Sequence, residues 1–389
     1  MRILFIINFY PPGYWGSISQ QCKATVDFLI EKQHNVYILT GNYGATGQEK
    51  LQIAAKLPMR NLKYVNYENS NSFERWKLDK YNYKITKKVA TVILPDIVFF
   101  WDLDGVSVAP VLAIQDLHIL KVFEISNLWI DKYIHPEFLA KLKLNLKKLL
   151  PQVVGGEIDF NPSIVNTIEL KEEMTKRYKL ERSHLLPRGV KISTAEQTPD
   201  FNSKINFVYN GVIDRNKDFT EIFKVLQRFR KQGKIFTYNL FGKVETSFIY
   251  VLKKDLIKFD LEDQVRFHDF TENKNIMYEQ NQIYLIPSGK SIDLEHDIFR
   301  AWSHKRLLLL PAKSADRLVQ DGVNGLIYDD DLLEKLEWIF ANPVQASKIC
   351  ETEYQIVEEN YNLDKIMEQT EKILLEELMI HRRKHGKNI

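Results

Sequence analysis

Two aspartates, Asp102 and Asp104, follow the apolar run Ile97-Val98-Phe99-Phe100 almost directly. Doubly wound sheets bind ligands at the carboxyl ends of their strands, and a carboxylate there can orient or deprotonate a hydroxyl. Asp102 is the candidate for that work, and Asp104 opens a turn before Gly105. A second set lies near the amino terminus, where Gly13-Tyr14-Trp15-Gly16-Ser17 joins an apolar run to a helical pattern. Backbone amides at a helix start, with glycines that allow close approach, suit a phosphate or a sugar hydroxyl.

These residues need elements to hold them. Ile3 to Ile7 is an apolar run of strand length, as expected for a strand buried on both faces of a parallel sheet. Ile18, Cys22, Val26 and Leu29 then make one helical stripe, with Ser17 or Ser19 as its cap. Val36 to Thr40 reads as a second strand. Further strands are expected at the end of Ala90–Phe100, at Lys121–Ile125 and around Leu185. The polar stretch 191–204 reads as a linker. The pattern then restarts with strands at Ile205–Tyr209, Thr237–Gly242, Val265–Phe267 and Ile283–Pro287, and an amphipathic helix from Phe219 to Gln232. The spacing predicts an α/β protein of two doubly wound Rossmann-like domains, with a cleft between the halves as the expected binding site. The domains are expected at 1–190 and 205–362, followed by a C-terminal helix and basic tail at 363–389 that packs back on the first domain.

Composition narrows the function. The 389 residues are 44% hydrophobic and 27% charged, ordinary for a globular protein. A net charge of +3 is too mild to imply nucleic acid. The two cysteines, Cys22 and Cys350, fit a reducing compartment and exclude a cysteine-rich zinc module. The first apolar run is too short for a signal peptide and no stretch reaches membrane-helix length, so a cytoplasmic protein is expected. The basic excess lies in the first half and is richest at Lys141–Leu150. That segment reads as a helix with a solvated basic face, leaving peripheral contact with the cytoplasmic membrane face open. The run His381–Lys387 reads as a frayed basic tail. A dinucleotide-dependent dehydrogenase is excluded, because the first loop lacks Gly-x-Gly-x-x-Gly and Leu39-Thr40-Gly41 carries no acid.

Several segments taken in order resemble the GT-B glycosyltransferases of the large retaining family 4. Met1 to Pro12 is similar to that family's opening strand and proline pair, with Gly13 and Gly16 in its glycine-rich loop. Lys32-Gln33-His34-Asn35-Val36, Leu94-Pro95-Asp96-Ile97-Val98 and Leu186-Pro187-Arg188-Gly189-Val190 resemble three further signatures. Asn210-Gly211 with Lys217 six residues on resembles its phosphate-binding segment. Ile286-Pro287-Ser288 and Asp321 to Ile327 match its later turns. The resemblance implies transfer of a sugar from a nucleotide-sugar donor to a glycan or lipid-linked acceptor in cell-surface polysaccharide synthesis, without a metal or other cofactor. Fixed cations must then hold the charge growing on the departing diphosphate. Lys217 is the first candidate. Arg215 is either a second donor or a solvated loop residue, since Val212 stands where the family has arginine. Gly211 and Ser288 complete the expected donor contacts.

The chain departs from the family in three places, one of them Lys305-Arg306-Leu307, which stands where the family has a Gly-x-Pro turn and implies a remodelled or decayed half of the donor site. Of the family's paired glutamates, seven residues apart, the second falls on Arg300 and the first on Ile292 or Ser291. Arginine accepts no hydrogen bond, so Arg300 is expected to pair with phosphate or with Glu295. Asp293, Glu295 and Asp297 lie nearby, and Glu295 is the expected substitute. On the acceptor side, Phe99, Trp101 and Ser126-Asn127-Leu128-Trp129 stand where the family often has histidines. These losses motivate an alternative reading, a catalytically degenerate GT-B subunit that partners an active transferase.

Overall fold

A computed structural model describes residues 1–11, 17–41, 62, 72–132, 158–193, 197–202, 204–268, 275–289, 294–315 and 318–386. Gly13, Gly16, Ser291, Ile292, Asp293 and Lys141–Leu150 lie outside the described residues. The chain divides into two units: Met1–Arg188 with Lys365–Ile389, and Gly189–Asp364.

In unit one, β1 (Arg2–Ile7) lies inside a six-stranded parallel sheet with β2 (Asn35–Thr40), β3 (Ile97–Trp101), β4 (Leu120–Ile125), β5 (Ser163–Val165) and β6 (Ser183–Leu185), in the order β2-β1-β3-β4-β5-β6. Side chains on a strand alternate between faces, and the core divides accordingly. Ile3, Phe5 and Ile7 join Cys22, Val26 and Leu29 of helix α1 (Ser17–Glu31). Leu4 and Ile6 join Ile85 and Val89 of α2 (Ser72–Ile93) on the other face. Short helices α3 (Ala109–Ala113) and α4 (Ile168–Tyr178) complete the layer around β3 to β6.

Unit two repeats the plan. Strands β7 (Ile205–Asn210), β9 (Phe236–Phe241), β10 (Val265–His268), β11 (Ile283–Leu285), β13 (Leu307–Pro311) and β14 (Leu326–Tyr328) form a parallel sheet ordered β10-β9-β7-β11-β13-β14. A two-stranded antiparallel ribbon of β8 (Lys217–Asp218) and β12 (Ser288–Gly289) stands beside it. Helix α5 (Phe219–Lys231) buries Phe219, Ile222, Phe223, Leu226 and Phe229, and the Asp218 carboxylate caps it by accepting from Glu221 N at 3.1 Å. Helices α6 (Ile249–Phe259), α7 (Asn275–Glu279), α8 (Leu294–Ser303), α9 (Leu332–Ala341) and α10 (Pro343–Asn360) follow.

Three sequence expectations change. The stretch expected as a linker belongs to unit two: Phe201 is fully buried in that core, and Pro199 O accepts from Ser347 at 3.3 Å. Phe201 pins the polar segment, and Ile192 near its start packs partly buried against the same core. The first part of the basic run, His381–Lys384, is not frayed. It forms the last turn of α11 (Leu363–Lys384), whose Leu374 and Leu378 enter the core of unit one beside β1. Cations in a final helical turn also meet the negative end of the helix dipole. The third change is β13, five buried residues that follow the remodelled turn at Lys305.

Polar contacts pin α11 to unit one. Glu371 takes His34 Nε2 at 2.7 Å, buried Glu377 takes His184 at 2.9 Å, and Arg382 reaches Asp96 at 3.0 Å. Burial opposes the Asp96 charge, yet hydrogen bonds from Arg2 N and Arg382 outweigh it and hold its pKa below the usual value.

Candidate functional site

Each sheet gathers polar groups at the carboxyl ends of its strands, the place where open α/β sheets hold ligands. In unit two, β7 ends at Asn210 and passes directly into Gly211. A Cβ on Gly211 would fall 2.6 Å from the Tyr209 hydroxyl, so only glycine fits. The chain then turns through Asp214, whose carboxylate accepts from Asn216 N at 3.0 Å, and enters β8 with Lys217. The antiparallel ribbon sets Gly289 opposite Lys217 and Ser288 opposite Asp218. Gly289 is obligatory too, because a Cβ there would overlap the Asn216 carbonyl. The structure thus brings the Ser288–Gly289 strand beside Lys217 and Asp218 from a distant part of the sequence, with Gly211 at the end of β7.

Lys217 is only 5% exposed. Burial pushes its ammonium toward deprotonation, and the carboxylates of Asp214 and then Asp297 oppose that push. Asp297, from the first turn of α8, also accepts from Asn210 Nδ2 at 3.4 Å. Glu295, the residue expected from sequence, lies two positions earlier on the same turn and is half-buried. Arg300, one turn further, is half-buried and its charge acts on Tyr278 and His304. His304 stacks flat on Tyr278 at 4.9 Å, and burial, aided by Arg300, holds its pKa down at about 4. Arg215 is 64% exposed and turned toward Ser247 Oγ at 3.3 Å and Glu245 at 3.9 Å.

In unit one the corresponding strand ends carry Asp102, Glu124, Asn166 and Arg188. Asp102 leaves β3 with φ of 45°, a left-handed conformation that aspartate tolerates better than most residues, and its Oδ1 accepts from Asp104 N at 3.1 Å. Ser17, at the start of α1, accepts from Arg188 at 3.2 Å. Ser19 instead donates to Phe9 O at 2.8 Å, tying the helix to the exit of β1.

Sequence reasoning missed Glu124. On β4 the alternation places it on the face of Leu120 and Val122, among apolar neighbours, and it is 4% exposed. In the orientation that satisfies its neighbours, Asn166 donates to Glu124 Oε1 at 3.2 Å and to Ile125 O at 3.0 Å. Burial raises the Glu124 pKa to about 8, Arg188 pulls it down and Asp102 pushes it up further. Glu124 therefore holds a proton at neutral pH beside a second carboxyl group, an arrangement typical of acid–base sites. The available signal was a lone carboxylate inside a strand whose other residues are apolar except Lys121.

No protein family and no curated protein matches the sequence. Solved structures match over almost the whole chain. A glycosyltransferase from Rickettsia africae superposes with a TM-score of 0.72 at 15% identity, covering 97% of this chain and 98% of its own. Anabaena HepE, solved in complex with UDP-glucose, gives 0.64 at 14%, covering 97% and 100%. The lipopolysaccharide outer core galactosyltransferase WaaB gives 0.63 at 14%, covering 97% and 99%. The fold is GT-B, built from two doubly wound α/β units.

Proposed function

We propose that this chain is a retaining, metal-independent glycosyltransferase of the family 4 type. Unit two carries a nucleotide-sugar donor, and unit one carries a glycan or lipid-linked acceptor of cell-surface polysaccharide synthesis. The observation that carries the reading is the buried Lys217, which follows Gly211 by six residues and pairs with Gly289 in the ribbon that also holds Ser288. As the bond between the anomeric carbon and the diphosphate oxygen breaks, negative charge gathers on the leaving diphosphate. A preorganised ammonium in a partly dry site stabilises that charge far better than water does. Ser288 and the backbone after Gly211 offer hydrogen bonds to the same group, and Asp297 offers an acceptor to sugar or ribose hydroxyls. Arg300 supplies a second cation one turn away.

On unit one, Asp102 orients or deprotonates the acceptor hydroxyl. Glu124, kept protonated, adds no second negative charge beside it. Arg188 and Ser17 give the acceptor or its phosphate further donors.

Calorimetry with UDP-, GDP-, CMP- and dTDP-sugars tests the reading. One donor should bind, and Lys217→Ala should weaken it by roughly a hundredfold, the loss of one charge-assisted contact and its partner's desolvation. Unchanged affinity in the variant would remove Lys217 from the site. Arg300, in the place of a family glutamate, favours a second reading: a catalytically degenerate subunit that partners an active transferase. If no donor in the panel binds or turns over, that reading replaces the first.

A further inference from the structure

At the amino-terminal ends of the unit-one strands, away from Asp102 and Glu124, lies a cavity of about 290 Å³. β4 separates the two places: the cavity touches Leu120 and Lys121, while Glu124 and Ile125 stand at the other end of the strand. His381 and Lys384 of the last turn of α11 line the cavity together with His385, Arg182 and Asp159. Lys121, Arg182 and Lys384 thus share the lining with Asp159, while Asp116 acts on Lys121 and Glu377 pairs with Arg182 from outside it.

The cations are placed, not merely present. Lys121 Nζ donates to the carbonyls of Leu117 and Ile119, each at 3.3 Å, which fixes the ammonium at the cavity wall. Burial pushes this ammonium toward deprotonation, while Asp116 and Asp159 oppose the push. Arg182 is held from behind by buried Glu377 at 3.4 Å, and its backbone N–H donates to Asn161 Oδ1 at 2.9 Å. The imidazoles of His381 and His385 lie 4.5 Å apart, and His118 lies 5.4 Å from His385. The ammonium, guanidinium and imidazole N–H groups of the lining offer an anion charge-assisted hydrogen bonds. A tetrahedral oxyanion with several acceptor oxygens matches a lining that holds all three kinds of donor.

We propose that this cavity is a binding site for a phosphate monoester group, separate from the nucleotide-sugar site on unit two. Its volume admits a phosphate with a small organic substituent. The group belongs either to a free phosphorylated metabolite or to the headgroup of an anionic lipid.

The test uses the full chain in the Lys217→Ala background, so that phosphate bound at the donor site does not contribute. Inorganic phosphate and glycerol 3-phosphate are titrated by calorimetry, and phosphatidylcholine vesicles with or without phosphatidic acid, whose headgroup is a phosphate monoester, are tested by co-sedimentation. Lys384 is exposed, so Lys384→Glu leaves the core intact, and Lys384→Arg preserves the charge. Phosphate should bind, Lys384→Glu should weaken it by roughly tenfold or more, and Lys384→Arg should restore it. Sedimentation only with the vesicles that contain phosphatidic acid, competed by glycerol 3-phosphate, identifies the lipid headgroup. Phosphate binding without sedimentation identifies the free metabolite. Absence of both, or phosphate affinity indifferent to Lys384→Glu, overturns the proposal. Neither result bears on donor binding, which the unsubstituted chain reports separately.

Discussion

Replacing Glu124 by Gln should change how stability depends on pH, by an amount the structure sets. The Glu124 carboxyl titrates near 8 in the folded chain against an ordinary value of 4.5. Between those values the folded state holds a proton that the unfolded chain has released. Stability therefore falls as pH rises through this window and levels off above it. At about 1.4 kcal/mol per pH unit, the whole window is worth about 5 kcal/mol. Gln has no proton to lose, and its side-chain oxygen still accepts from Asn166. The variant should match the wild type near pH 4.5 and exceed it increasingly up to pH 8, with a constant advantage beyond. In a unit of this size that advantage is roughly 10–20 °C in melting temperature. Thermal denaturation of both proteins from pH 4.5 to 9 measures it, and groups titrating elsewhere, such as His304, cancel in the comparison. A melting difference that stays flat across the series would show that Glu124 is ionised in the fold, and the acid–base reading of unit one would go with it.

Other outcomes are expected. Asp102→Asn should lower transfer by roughly a hundredfold or more while donor affinity, read by calorimetry, changes little; equal loss of both would make Asp102 a binding or folding residue. Leu374→Ala, at a fully buried position of α11, should cost unit one roughly 3 kcal/mol in urea denaturation and leave donor binding by unit two unchanged.

Much of the scaffold was legible because buried parallel strands read as apolar runs. Ile3–Ile7 and Ile205–Tyr209 could hardly be anything else. β5 spans only Ser163–Val165, too short to show a period, and β13 begins immediately after Arg306 in a turn that had lost its usual glycine and proline. The sites were less legible because they are assembled across sequence. Lys217 was found through its glycine six residues before. Asp297 needed the structure, since only the helix start of α8 decides which of three nearby acids turns toward Asn210. Glu124 was visible and overlooked: a carboxylate in a doubly buried strand conflicts with the local pattern, and such conflicts mark functional positions.

Unit two is one continuous stretch of chain, whereas unit one is completed only by α11. A ribosome therefore delivers everything the later unit needs before the earlier one has its last helix. The order of maturation should be inverted relative to the order of synthesis, with the exposed flank of β1 and α1 waiting for Leu374 and Leu378. During that interval the unfinished flank is a natural client for a chaperone.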